Sequence, residues 1–193
     1  MTLADRLEAA LTRASVTRES RVVGDDVPWP EAFKPAAVLV AITDQPSPSL
    51  ILTLRAGHMR DHAGQIAFPG GRIDPTDRDA AGAALREAQE EIALDPALVT
   101  VIGTNDAYRT GSGYCITPVI SVVPANLRLM PNHHEVAEIF EVPLDFVLDP
   151  ANQRRKSGLW RGHIREYYEI QWQHRRIWGA TAGMLVNLTQ RLT

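Results

Sequence analysis

The tripeptide Pro69-Gly70-Gly71 constrains this chain more than any other short stretch of it. Proline cannot donate a backbone hydrogen bond, and two glycines let the chain bend sharply and approach a neighbour closely. Strand-type sequence lies before this break and helix-type sequence after it. Residues 36–43 (AAVLVAIT) form a continuous apolar run of strand length. Residues 45–48 read as a turn and residues 50–55 (LILTLR) as a second strand, which together predict an antiparallel hairpin. Residues 65–68 predict a short third strand that runs into the break. Beyond it, residues 80–92 predict a helix with Asp79 as N-cap. Its apolar stripe would be Ala81, Ala84, Leu85, Ala88 and Ile92, and its stop is Asp95-Pro96. Gly82 lies inside that helix, costs about 1 kcal/mol against alanine, and has no reason visible in the sequence.

Further strands are expected at residues 99–104, 116–123, 136–142 and 165–172. A helical turn is expected at 143–148, and a closing helix at 180–192 turns Met184, Leu185 and Leu188 inward. At the other end, Leu3, Leu7, Ala10 and Leu11 have helical spacing, so residues 3–14 predict a short amphipathic helix docked on the main body. Gly24, Pro28, Pro30 and Pro35 mark 23–35 as an irregular connector. Strands interleaved with few helices, without repeats, imply an α+β chain built as a mixed-sheet α/β/α sandwich. The expected division is a helix and connector over 1–30 and one domain over 31–193.

Composition narrows the function classes. A net charge of −3 provides no global basic field for nucleic acid. The single cysteine, Cys115, excludes a disulfide within the chain and a cysteine-rich zinc site. Residues 1–22 lack the apolar core of a signal peptide, and no apolar run reaches the roughly 18–20 residues of a membrane span. A cytoplasmic protein without a membrane partner is the expectation.

The stretch Arg86-Glu87-Ala88-Gln89-Glu90-Glu91 carries the chemistry. Glu87, Glu90 and Glu91 share one helix face, opposite the apolar stripe. Like charges four residues apart repel by roughly 0.2–0.5 kcal/mol, and a divalent cation between Glu87 and Glu91 would reverse that sign. Arg86 is placed to pair with Glu90, which leaves Glu87 and Glu91 for metal, with Glu90 serving Arg86 or a second metal ion. Acidic runs are also commonplace on solvated helix faces. The glycine bend just upstream is what separates this run from those.

Together these pieces resemble the Nudix box, in which a glycine is followed by five residues, a glutamate, seven residues, and then Arg-Glu-apolar-x-Glu-Glu-x-Gly-apolar. Gly71 and the run from Arg86 to Leu94 fill most of it. Three departures are present: one extra residue between Gly71 and Arg86, Asp77 or Asp74 as the mid-loop acid, and Ala93 where glycine is usual. These departures look like those of the coenzyme A diphosphatase branch. So does the upstream stretch Leu52-Thr53-Leu54-Arg55, then Arg60-Asp61-His62-Ala63-Gly64-Gln65-Ile66-Ala67-Phe68-Pro69-Gly70-Gly71. Weaker likenesses follow at 135–144 and 177–182, so the resemblance spans roughly residues 36–190.

The resemblance implies a Nudix fold that hydrolyses a phosphoanhydride by water with Mg²⁺ or Mn²⁺. Coenzyme A would give 3′,5′-ADP and 4′-phosphopantetheine. Glu87 and Glu91 would be the metal ligands, Glu90 a further catalytic acid, and Glu135 (or Glu138) the general base. Arg55, Arg60, Gln65 and Gly70 would contact substrate; alternatively the two arginines pin their loop to the helix. His133 and His134 read as loop histidines. Trp160, Trp172 and Trp178 read as core or interface residues in preference to base-stacking platforms. Two rivals remain: a Nudix enzyme for another nucleotide such as ADP-ribose, and a non-catalytic Nudix module. A homodimer is compatible with the chain.

Overall fold

The computed structural model describes residues 2–17, 24–25, 30–58, 62–160 and 162–192. Its axis is β1 (Lys34–Asp44), in which residues 36–43 are buried without a break. An uninterrupted apolar run suits a strand covered on both faces. On one side β1 pairs in parallel with β7 (Tyr114–Pro124) along its whole length. On the other side its neighbour changes. Ile42 pairs with Leu50 of the antiparallel β2 (Ser49–Arg55) near their turn. Farther along, Ala36, Ala37 and Val38 pair instead with Arg72, Gly71 and Gly70 of β4 (Gly70–Arg72). The far end of β2 pairs with β3 (Ile66–Ala67). So β1 and β2 splay apart, and β3 and β4 fill the gap like a wedge.

Outside this centre, β8 (Val136–Pro143) pairs with β2, while β5 (Thr100–Thr104) and β6 (Tyr108–Arg109) pair with β7. The result is a mixed sheet of eight strands. Alternate residues face opposite sides of a strand, and β1 shows it. Ala37, Leu39 and Ala41 meet Ala83, Ala84, Ala88 and Ile92 of α2 (Ala80–Ile92). Val38, Val40 and Ile42 face the other way, toward α1 (Leu3–Thr17), α3 (Leu144–Leu148) and α4 (Ala180–Leu192). Ile170 and Ile177 of a second, three-stranded sheet join that layer. This sheet comprises β9 (Arg154–Trp160), β10 (His163–Trp172) and β11 (Arg175–Trp178). The expected sandwich is therefore present. Leu3, Leu7 and Leu11 of α1 are buried in the same core as α4. Among the described residues no helix is long and apolar enough to cross a membrane.

Three expectations need correction. The glycine stretch is more than a break in the chain, because Gly70 to Arg72 form a strand. A Cβ on Gly70 would lie 2.4 Å from the Ala37 carbonyl oxygen, so glycine is what admits the pairing. Second, α2 is turned relative to the expected stripe. Ala81 and Leu85 are half-buried, whereas Ala83 and Glu91 are buried. The acidic face therefore does not point away from the body. Third, β9 and β11 have no counterpart in the sequence reading. The polar β9 is largely exposed and shows no period-two signal; it exists through its pairing with β10. Nothing around Gly82 demands glycine, since an added Cβ would meet its nearest neighbour at 3.6 Å.

Ala93 ends α2 in the left-handed region, at φ 55° and ψ 31°. Its N–H donates to the Gln89 carbonyl at 3.0 Å, and the Leu94 N–H reaches the Ala88 carbonyl at 3.4 Å. This closing turn favours glycine, because an L side chain there costs about 1–2 kcal/mol. We expect Ala93→Gly to raise stability by about 1 kcal/mol, read as a higher urea midpoint with an unchanged slope. A midpoint that stays or falls would show that the cap is unstrained.

Candidate active site

The small side chains of α2 let the helix lie close on β1 and bring its last turns beside the wedge. There the Gly70 N–H donates to Glu91 Oε2 at 3.1 Å. At the neighbouring Gly71 an added Cβ would lie 2.5 Å from the Glu87 carboxyl carbon, so a larger residue would push that side chain aside. Both carboxylates thus abut the double glycine. Their exposures differ: the Glu91 side chain is 3% exposed and Glu87 16%, against 55% for Glu90. Arg55, the last residue of β2, holds Nη1 3.8 Å from Glu91 Oε1.

Arg86 organises the other half of the site. It grips Asp77 with two bonds of 2.9 Å each. Its Nη1 donates to Glu87 Oε1 at 3.0 Å and to Glu90 Oε2 at 3.2 Å, and its Nη2 to the Arg72 carbonyl at 3.1 Å. These bonds raise the arginine's proton affinity and hold the Asp77 carboxyl below its usual range. The mid-loop acid is therefore Asp77, which also accepts the Asp74 N–H; Asp74 itself stays 3.8 Å from Arg86. The expectation that Arg86 would serve Glu90 and leave Glu87 alone is corrected, since it bonds both.

Burial dominates the titration of the acidic pair. It pushes Glu91 up to about 7, against the opposing pull of the Gly70 N–H and Arg55. Burial also raises Glu87, with Arg86 opposing. Glu135 adds like charge to both, so it lies within their field. It occupies the turn before β8, where its carbonyl accepts the Ala56 N–H at 2.8 Å. Glu138, the other candidate base, is ion-paired with Arg175, whose guanidinium stacks 4.3 Å from the Phe140 ring.

The remaining expected site residues sort as follows. Gln65 Oε1 bonds His62 Nδ1 at 2.9 Å, and the Gln65 carbonyl accepts the Arg55 N–H at 2.9 Å, so Gln65 closes its loop. Arg60 lies outside the described residues, as does the Trp160 side chain. His133 and His134 sit in a turn, and the His134 carbonyl faces His58 Nε2. Trp172 packs on Phe146 and Trp178 on Tyr167. Sequence reasoning missed the closeness of Gly71 to Glu87 and the dominance of Asp77 at Arg86. The spacing of acid and arginine hinted at the second.

The donor set suits a hard divalent cation. Two carboxylates with low exposure lie against a backbone bend, and all their donors are oxygen. Among the described residues no three His, Cys, Asp or Glu side chains converge as a ready-made cage. Mg²⁺ commonly takes one or two carboxylates and completes its shell with water and substrate phosphates.

Comparison with known proteins identifies the family. The NUDIX domain family model matches residues 33–160. The uncharacterized Nudix hydrolase NudL of Yersinia pestis (strain Pestoides F) is 41% identical over 159 residues, covering 82% of this chain and 79% of that protein. Among solved structures, the Nudix hydrolase RenU from M. smegmatis superposes with a TM-score of 0.51 at 28% identity, covering 61% of this chain and 75% of that one. A MutT/nudix family protein from Enterococcus faecalis, 12% identical with a TM-score of 0.50, shares the fold over 98% of this chain and 73% of its own. Matched through its central sheet, its wedge and its acidic helix, this chain belongs to the Nudix hydrolase family and is a hydrolase of pyrophosphate bonds.

Proposed function

We propose that the chain hydrolyses the phosphoanhydride of coenzyme A or a close derivative, with Mg²⁺ or Mn²⁺ held by Glu87 and Glu91. The products are 3′,5′-ADP and 4′-phosphopantetheine or its acyl form. The observation that carries the reading is the double contact at the wedge, Gly70 against Glu91 and Gly71 against Glu87. It sets one carboxylate against each glycine where the sheet opens. The substrate half rests on the stretch from Leu52 to Gly71, which is similar to coenzyme A diphosphatases and leads from β2 into β3 and β4. Nudix hydrolases generally use divalent ions such as Mg²⁺ or Mn²⁺.

A divalent ion bound there supplies neutralisation of the diphosphate charge and a more acidic water. The chain's own residues do the rest. Glu135, within the field of both carboxylates, accepts a proton from the attacking water as general base. Glu138 is the weaker candidate because Arg175 already holds it. Asp77 fixes Arg86, and Arg86 orients Glu87 and Glu90. Glu90 balances the Arg86 charge at the exposed rim of the reaction centre. Arg55 and the Gly70 backbone face the substrate phosphates, and Gln65 shapes the loop beside them. Arg60 is assigned to substrate by resemblance alone.

A substrate panel with Mn²⁺ tests the reading. Coenzyme A should give the highest kcat/KM, with 3′,5′-ADP as product; ADP-ribose turning over far faster at equal concentration would refute the substrate. Glu91→Gln should cut turnover roughly a hundredfold or more, and unchanged turnover would refute the metal role.

The raised Glu91 also predicts a pH dependence of the metal-free protein. Its folded value of about 7 lies above its ordinary 4.5, so the fold favours the protonated form. The stability this contributes is full below about pH 4.5 and lost as pH climbs through about 7. We expect Tm of the metal-free protein to fall between about pH 5 and 8. Glu91→Gln should flatten that fall, and Mn²⁺ should raise Tm more at the alkaline end. A Tm profile identical in wild type and Glu91→Gln would refute it.

A further inference from the structure

Arg55 and Arg86 both face the acidic pair, and they are held very differently. Arg86 spends its guanidinium on Asp77, Glu87, Glu90 and a backbone carbonyl. Among the described residues Arg55 makes one side-chain contact of this kind, a 3.8 Å ion pair with Glu91, longer than a hydrogen bond. Its Nε is buried and has no partner among the described residues. Buried guanidinium donors are ordinarily satisfied. The backbone beneath it is fixed. The Arg55 N–H donates to the Gln65 carbonyl at 2.9 Å, and its carbonyl accepts the Gly64 N–H at 3.2 Å. Beside it, the pairing of β2 with β8 shifts register between Leu54 and Arg55. A rigid strand end therefore aims the side chain at Glu91, yet the contact it makes there is loose and leaves a donor unused.

We propose that Arg55 is an exchangeable counter-cation: it balances Glu91 while no divalent ion is bound, yields Glu91 to that ion, and turns its fork to the substrate diphosphate. The inference rests on Glu91 being a metal ligand. It gives one residue opposite effects on two ligands. Two cations that share one carboxylate compete, so Arg55 opposes metal binding in the absence of substrate. A guanidinium fork matches phosphate oxygens, so the same residue favours substrate. A simple loop pin would support both ligands. A simple phosphate clamp would leave metal affinity alone.

The experiment is Mn²⁺ titration calorimetry on Arg55→Gln and wild type without substrate, alongside kcat and KM with Mn²⁺ saturating. Removing the competing charge should tighten Mn²⁺ binding by about 3- to 10-fold and raise KM by about 10-fold or more. Arg55→Lys, which keeps the charge without the fork, should bind Mn²⁺ within about twofold of wild type and still show a raised KM. Unchanged or weaker Mn²⁺ binding by a folded Arg55→Gln would overturn the proposal.

If that variant does not fold, nitrogen NMR of the unaltered protein decides. Mg²⁺ should shift the Arg55 Nε–H resonance and speed its exchange with solvent, while the Arg86 Nε–H, bonded to Asp77, keeps its slow exchange. An Arg55 signal unmoved at Mg²⁺ saturation would overturn the proposal. Failure of wild type to bind Mn²⁺ at all would instead remove the metal-site reading, and this proposal with it.

Discussion

How near two backbones can come decides this site. Gly70 and Gly71 pair with Val38 and Ala37 on one side and meet the carboxylates of Glu91 and Glu87 on the other. A methyl group at either position would collide with the strand or with an acid. The same closeness recurs where α2 rests on β1, through Ala83, Ala84 and Ala88 against Ala37, Leu39 and Ala41. Small residues on both surfaces lower the helix onto the sheet. The wedge can then occupy the gap between the splayed β1 and β2 and still touch the helix.

That closeness has an electrostatic consequence. A carboxylate removed from water loses hydration, and a nearby like charge adds to the cost. The two acids at the wedge meet this cost unequally. Glu87 receives a direct bond from Arg86, within a network anchored by Asp77. Glu91 has one backbone N–H and a distant guanidinium, and its proton affinity rises accordingly. A fold selected for stability alone would favour an apolar residue at so buried a point on the helix. Retaining an under-compensated acid there makes physical sense where a cation is to be drawn in, as the proposed metal role of Glu91 requires.

The outer layers hold this centre in place. Asp79 caps the start of α2, and the pairing of Asp77 with Arg86 shapes the approach to it. On the opposite face, α1, α3, α4 and the second sheet bury the other side of β1. Thr181 of α4 donates to the Ile66 carbonyl at 3.0 Å, which ties that layer to the wedge from below. The candidate site thus sits on strand ends and one helix and is supported from both faces of the sheet.

Local periodicity made much of this legible in the residues alone. The apolar run at 36–43, the hairpin into LILTLR, the Asp79 cap and the spacing of Glu87 and Glu91 are short-range facts, and all appear in the fold. The chain could not reveal by itself which surface each element would meet. The parallel pairing of β1 with β7, the polar strand β9 and the rotation that buries Glu91 in place of Leu85 depend on contacts distant in sequence. Sequence by itself determined which side chains share a face, because the repeat of a helix or strand does that. Tertiary structure decided which face lost its water, because desolvation belongs to a pair of surfaces, and only their meeting turned an ordinary acidic helix into a charged pocket against a glycine wedge.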